Sequence, residues 1–246
     1  MKRILAPTVK KDPLRPFPEM KTETSSLVYA KSGKHTIELS EGRHDLSVQV
    51  ARGVSVELKC SPVPDAKWID SHLHIQCAQD AYVDYFLVAE GGKRISISIQ
   101  CDLAGRGSGA DIHSVLHGIS DAHHGLQTVM HHMQPDTHGN IIVRGVYEQA
   151  SRAIFSGLIK IAPDAQRTNS YFQDDVLLAD NAFAESLPTL EIEANDVRAS
   201  HGSTTSRIDS EQLFYLQSRG LSGGQARQMI IDGFLGKLTA EDIAAQ

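Results

Sequence analysis

Ser200–Ala226 reads SHGSTTSRIDSEQLFYLQSRGLSGGQA, and within it Leu221–Gln225 spells LSGGQ, the signature of ABC-type ATPases. Such a signature acts on a γ-phosphate held by another nucleotide-binding domain, through its Ser hydroxyl and the amides of a helix N-terminus. Its bearer also carries a G-x-x-x-x-G-K-[ST] loop of its own, whose backbone amides and Lys cradle the phosphates. No such loop occurs here. The nearest Gly-rich stretch, Gly105-Arg106-Gly107-Ser108-Gly109, lacks the Lys-Ser/Thr pair and leads into no clear helix. There is also no apolar strand ending in the adjacent acidic pair that would place Mg²⁺ and the attacking water. Local chemistry explains LSGGQ more simply. Ser222 followed three residues later by Gln225 is a helix-capping box, so the motif is expected to open a helix and not to bind nucleotide.

Outward from this stretch, the composition sets further bounds. A chain of 246 residues with 41% hydrophobic residues suits one large domain, or one domain with an appendage. Its net charge of −6 argues against a general nucleic-acid binder. The three cysteines, Cys60, Cys77 and Cys101, are odd in number and lack C-x-x-C spacing, so no disulfide framework is expected and a reducing, cytoplasmic compartment fits. The basic opening stretch MKRILAPTVKKDPLRPFPEM has no apolar core of the kind a secretory signal needs. No segment reaches the about 20 apolar residues of a membrane span, and no membrane association is expected.

Residues 1–25, rich in Pro and Lys, suggest an extended arm. From about Leu27 the apolar residues recur with period two. The alternation is evident in Thr36–Ser40, Leu46–Val50, Val54–Leu58, Leu73/Ile75, Val83–Val88 and Ile95-Ser96-Ile97-Ser98-Ile99. It resumes in Gln127–Met133, Ile141–Val146, Ile154–Ile161, Phe172–Leu178 and Leu190–Glu193. This predicts about a dozen short strands separated by Gly, Asp, Asn or Pro turns across residues 26–208. A sandwich, a barrel and a β-helix all accommodate such spacing. Hairpin signals are sparse, His138-Gly139-Asn140 being the best candidate. A solenoid tolerates irregular coils, and no strict repeat is present to choose among the three.

At Asp209 the period becomes helical. Asp209 or Ser210 can cap a helix carrying Leu213, Phe214 and Leu216 and ending at Gly220. Ser222 caps a second, with Ala226, Met229, Ile230 and Phe234 on one face, and Thr239-Ala240-Glu241-Asp242 starts a last short turn. A tail of roughly 37 residues (209–246) cannot hold a core alone, so it must pack on the β domain or on a partner.

Several stretches in order carry a family resemblance. Arg152–Lys160 (RAIFSGLIK) is similar to an R-x-x-F-x-G-x-I motif, and Thr168–Leu178 to a T-x(n)-LL segment. Pro188–Val197 (PTLEIEANDV), then Ser200-His201-Gly202 and Leu213-Phe214-Tyr215-Leu216 with Ser218-Arg219-Gly220, complete the series. From about His131 to Phe234 the chain resembles the SufB/SufD family of iron–sulfur cluster assembly scaffolds. Before about residue 120 the likeness is in β character alone, and no stretch matches the large N-terminal helical region of longer members. The resemblance implies a mainly β fold, a right-handed parallel β-helix core with a short C-terminal helical tail. It implies a non-catalytic subunit whose tail, 209–246, docks SufC, an ABC-type ATPase, and whose β-helix pairs with a SufB/SufD-type paralogue or with a second copy of itself. Leu213, Phe214, Tyr215, Arg219, Met229 and Phe234 are the expected partner-binding residues. The nascent iron–sulfur cluster would be transient and shared with the other subunit, with none tightly bound in the isolated chain.

The same resemblance singles out two positions. SufB-like members carry a Cys before the LL segment; here that position falls at about Asp174, a hard ligand that cannot carry persulfide sulfur. Ser200-His201-Gly202 lacks flanking glutamates and matches the SufD-like form, which makes His201 the candidate cluster ligand at the subunit interface. Cys60, Cys77 and Cys101 are expected to be buried small hydrophobes. The alternative function is a His-rich metal-binding β protein or metalloenzyme. His72-x-His74 places two imidazoles on one strand face, and His113, His117, His123, His124, His131, His132 and His138 cluster in sequence. Solvent-facing positions on β-helix coils are expected to account for most of them.

Overall fold

The computed structural model describes residues 22–63 and 66–236. Most of the expected arm and the turn at Thr239 lie outside these residues. Among them run fourteen strands: Thr22–Tyr29 (β1), Gly33–Leu39 (β2), Gly42–Val50 (β3), Ser55–Pro62 (β4), Ile69–Cys77 (β5), Tyr82–Glu90 (β6) and Arg94–Leu103 (β7), followed by Gly109–Gly118 (β8), His123–His132 (β9), His138–Tyr147 (β10), Arg152–Ile161 (β11), Thr168–Leu178 (β12), Phe183–Ile192 (β13) and Val197–Arg207 (β14). Two helices follow, Ser210–Ser218 (α1) and Gly223–Leu235 (α2).

The odd strands form one seven-stranded sheet in the order β1-β3-β5-β7-β9-β11-β13, and the even strands form a second, running from β14 back to β2. Every pairing between them is parallel. One odd and one even strand therefore make a coil, and the coils stack as a two-sheet β-solenoid. His138-Gly139-Asn140 is not a hairpin: it begins β10, which lies parallel between β8 and β12. The spacing between coils explains why no repeat is visible. Thr22 pairs with Arg43, 21 positions on, whereas Arg152 pairs with Phe183, 31 positions on.

In-register stacking turns period two into continuous interior columns. Leu58, Tyr85, Ile112, Ile141 and Phe172 form one such column in the even sheet. Cys60, Leu87, Ser114, Val143 and Asp174 form the next. All are buried, each coil covering the apolar face of its neighbour. Gly157 of the RAIFSGLIK stretch faces the interior, where a Cβ would lie 2.1 Å from the Phe172 ring. A side chain there would displace that ring.

Corners reverse the chain with left-handed residues in register. Asp80, Asp136 and Arg167 have φ of 57°, 62° and 58°, stacked with Gly53 and Gly107. Each amide donates to the next coil: Asp80 to Arg106 O at 3.0 Å, Asp136 to Gln166 O at 2.9 Å. Asp136 also accepts from Arg106 and Arg167, one coil before and one after it.

The helical tail starts where the period changes. Asp209 caps α1, accepting from the Glu211 amide at 2.8 Å. Ser222 and Gln225 exchange the two bonds of a capping box, Gln225 N–H to Ser222 Oγ at 3.3 Å and Ser222 N–H to Gln225 Oε1 at 2.9 Å. LSGGQ is thus a helix start. α2 lies on the outer face of the even sheet, where Ile231 packs with Val146 and Leu177. Arg227 clamps it there, donating to Glu148 at 2.7 Å and to both oxygens of Asp180 at 3.0 and 2.5 Å. Among the described residues no helix is long and apolar enough to cross a membrane.

Candidate functional site: the open last coil

The column Leu58–Phe172 ends at His201, and the column Cys60–Asp174 ends at Ser203, because β14 stacks on β12 with Phe172 opposite His201 and Asp174 opposite Ser203. Among the described residues β13 and β14 are each the last strand of their sheet and are hydrogen-bonded on one side only. Together they leave the interior of the final coil uncovered by the described residues. Such bare edges are pairing surfaces for another chain.

His201 is exposed, its inward-facing ring having no coil above it. One coil below, Asp174 is completely buried. Ser186, on the inward side of β13, donates a hydrogen bond to one Asp174 carboxylate oxygen. The other oxygen, Oδ1, has no hydrogen-bond partner among the described residues. Buried carboxylate oxygens are normally satisfied, and an orphaned one costs on the order of 1–3 kcal/mol or more. The last two coils thus place a carboxylate bonded to the Ser186 hydroxyl next in register to Ser203, with His201 two positions away along β14.

No thiolate joins them. Cys60, Cys77 and Cys101 are all buried in earlier coils, as small core hydrophobes. Burial pushes the Cys60 thiol up to about 11, and the neighbouring Cys77 together with burial holds Cys101 well above the ordinary thiol range. The final coil therefore offers oxygen and nitrogen donors only.

The tail residues divide. Phe214, Tyr215 and Met229 are 72%, 56% and 52% exposed, and Arg219 lies over the Tyr215 ring at 5.2 Å. Leu213 is half-buried. Phe234 faces the solenoid: it flanks Ile231, and Arg144 lies 5.9 Å from its ring.

The histidines are spread over several partners, with His74 and His131 sharing Asp102. His72 and His74 share the outward face of β5, but His72 lies 3.6 Å from Asp70 and His74 2.8 Å from Asp102. His131 approaches Asp102 at 3.5 Å, His113 approaches Asp84 at 3.5 Å, His117 bonds Glu148, and His138 stacks on Tyr82. Among the described residues no three His, Cys, Asp or Glu side chains converge to hold a metal ion. Two of the clustered histidines are not solvent-facing at all. His124 and His132 point inward, bonded to Tyr147 at 3.1 Å and Thr137 at 2.9 Å. Burial lowers their pKa values to about 4 and about 3.

Ser186, Ser203 and Arg227 were not singled out by sequence. Extending period two from the Leu190/Ile192 pair back to Ser186 would have put a hydroxyl in the interior, but its partner Asp174 is brought to it only by the coil.

The chain is 29% identical to SufD of Escherichia coli, an iron–sulfur cluster assembly protein, over 84% of its own length and 50% of that protein. It is 30% identical to an iron–sulfur cluster assembly SufBD family protein of Mycobacterium tuberculosis, over 72% of the chain and 48% of that protein. It is 27% identical to SufB of Bacillus subtilis, over 74% of the chain and 36% of that protein. The chain thus spans about half the length, or less, of these curated relatives. A family model described as the SufBD core domain of the SUF system of FeS cluster assembly matches residues 65–234, and the chain belongs to that family.

Proposed function

We propose that the chain is a SufD-like, non-catalytic scaffold subunit of a SUF-type assembly complex. It pairs through its last coil with a SufB/SufD-type subunit, contributes His201 to a transient cluster there, and binds a SufC-type ATPase through α1 and α2. The observation that carries this reading is the uncovered final coil, with the His201 imidazole standing at its mouth and no soft donor beside it. A cluster forming at that mouth is cargo that needs thiolate or sulfide from the other side of the interface. Pairing with a Cys-bearing paralogue supplies what Asp174 does not. The exposed Phe214, Tyr215 and Met229 give the tail an apolar surface that its own solenoid leaves free.

The test is anaerobic co-expression with an ABC-type ATPase and a SufB-type subunit, followed by iron, sulfide and subunit analysis. Deleting 210–246 is expected to remove the ATPase while the solenoid stays folded, and Phe214→Ala with Tyr215→Ala to weaken it. His201→Ala is expected to lower cluster content without separating the subunits. ATPase binding that survives the deletion would overturn the docking assignment, and unchanged cluster content would leave His201 without a ligand role.

A further inference from the structure

His72 and His74 have no part in the last coil or the tail. They stand two residues apart on β5, so both project from the outer face of the odd sheet, about 6.6 Å from each other along the strand. Both side chains are half exposed. They line a groove of about 350 Å³ that crosses β1, β3, β5 and β7, together with Asp45, Ser47, Ser98 and Gln100. Each imidazole is flanked by a carboxylate that is itself held in place. Asp102 accepts from His74 Nε2 at 2.8 Å and from the Gln100 amide at 3.0 Å. Asp70 Oδ1 lies 3.6 Å from His72 Nε2, while its other oxygen accepts from Arg43 at 2.9 and 2.6 Å. An ionised carboxylate only accepts, so in each neutral ring the proton sits on Nε2 and the lone pair on Nδ1. Neither Nδ1 has a hydrogen-bond partner among the described residues.

From these we infer that His72 and His74 chelate a late first-row divalent cation, represented by Zn²⁺, through their two Nδ1 atoms. The site lies in the odd sheet, several coils before β13 and β14, and does not rest on the proposed function. Imidazole suits zinc, nickel and copper, whereas Mg²⁺ and Ca²⁺ prefer oxygen donors. Zinc takes histidine nitrogens at about 2.0–2.1 Å, so two tetrahedral ligands stand roughly 3.4 Å apart. Rings rooted one i, i+2 step apart close that gap by leaning together. Asp70 and Asp102 act as positioning residues, fixing tautomer and ring orientation as carboxylates do behind zinc-bound histidines. Asp45, beside His72 in the β3–β5 register, adds negative charge facing the cation. Water fills the remaining positions. Two protein donors make an open chelate and not a closed cage, in keeping with the absence of a converging trio among the described residues.

The experiment is a titration of the full chain, free of any affinity tag, with Zn²⁺, followed by long-range ¹H–¹⁵N correlation of the histidine rings. Nδ1 of His72 and Nδ1 of His74 are expected to shift together and saturate at one ion per chain, with both Nε2 atoms still protonated. His72→Ala and His74→Ala should each weaken binding at least tenfold, because a chelate needs both rings, and His35→Ala on β2 should leave it unchanged. Both replaced histidines are half exposed, and circular dichroism checks that the variants fold. Asp102→Asn should redistribute the His74 ring proton between its nitrogens and lower the zinc affinity; an unchanged tautomer would overturn the positioning role. Zinc shifts spread over many histidines without saturation overturn the site, as does binding that survives the double replacement of His72 and His74. A loss confined to one of the two single variants overturns the chelate.

Discussion

Replacing Arg227 by Ala removes the main polar tie between the tail and the solenoid. Arg227 donates to Glu148, which is 13% exposed, and to Asp180, which is 40% exposed. The Asp180 pair is close to the surface and contributes at most about 1 kcal/mol. The Glu148 bond is charge-assisted and largely shielded, worth about 1.5–3 kcal/mol, and its loss leaves Glu148 with His117 alone. Arg227→Ala should therefore weaken attachment of α2 by about 2–3 kcal/mol, a factor of roughly 30–150 in the open population. Hydrogen exchange of the amides of 223–235 reads this directly. They should exchange faster by about that factor, while amides of interior strands such as β10 keep their protection. Arg227→Lys, a point charge that cannot bridge both carboxylates, should fall between. Unchanged exchange in the tail would refute the clamp, and so would equal acceleration throughout the solenoid, which would mean that Arg227 stabilises the whole fold.

Two further expectations concern the interior. Because burial depresses the pKa values of His124 and His132 from about 6.5, the unfolded chain binds protons at both positions below that pH while the folded chain does not. Stability is therefore full above about pH 6.5 and falls as the pH drops toward 4, by about 2 kcal/mol per histidine at pH 5. Asp84, raised to about 6 chiefly by burial and then by Asp111, acts in the opposite sense, so the comparison is between proteins. His132→Leu should lose about half of the histidine contribution in urea midpoints at pH 7 and 5, and an identical pH dependence would count against it. Gly157→Ala should destabilise by about 1–3 kcal/mol through the clash with Phe172, with Phe172→Leu restoring part of the loss. A neutral Gly157→Ala would mean that the ring has room to move.

How much of this was legible in the sequence varies by element. The clean alternation at Ile95–Ile99 and Ile154–Ile161 marked β7 and β11, whose inner faces are covered on both sides. β1, whose first residues 22–25 were read as part of the arm, β8 and β14 were not marked. In β8, Ser114 faces the interior and Val115 is buried on the outer side, which blurs the alternation. β14 is polar apart from Val197 and Ala199 at its start, and no coil of the described residues covers it. The two helix caps, Asp209 and Ser222, were legible because a cap is settled within about four residues of chain. The direction of His124 and His132 was not, since two adjacent histidines differ only in which face of the sheet each takes.

By itself the sequence determined the β character of the core, the switch to helix at Asp209, the harmless reading of LSGGQ and, through its ordered motifs, the family. Each of these rests on short-range periodicity or local capping, which neighbouring residues set among themselves. Periodicity left solenoid, sandwich and barrel open and the resemblance alone implied the solenoid; the tertiary structure bears it out and supplies the reason, because register between coils 21 to 31 residues apart is a property of stacked pairs and not of any one strand. It alone put Asp174 beneath Ser203 and beside Ser186, with His201 on the adjoining column, through contacts between coils that no sequence spacing encodes.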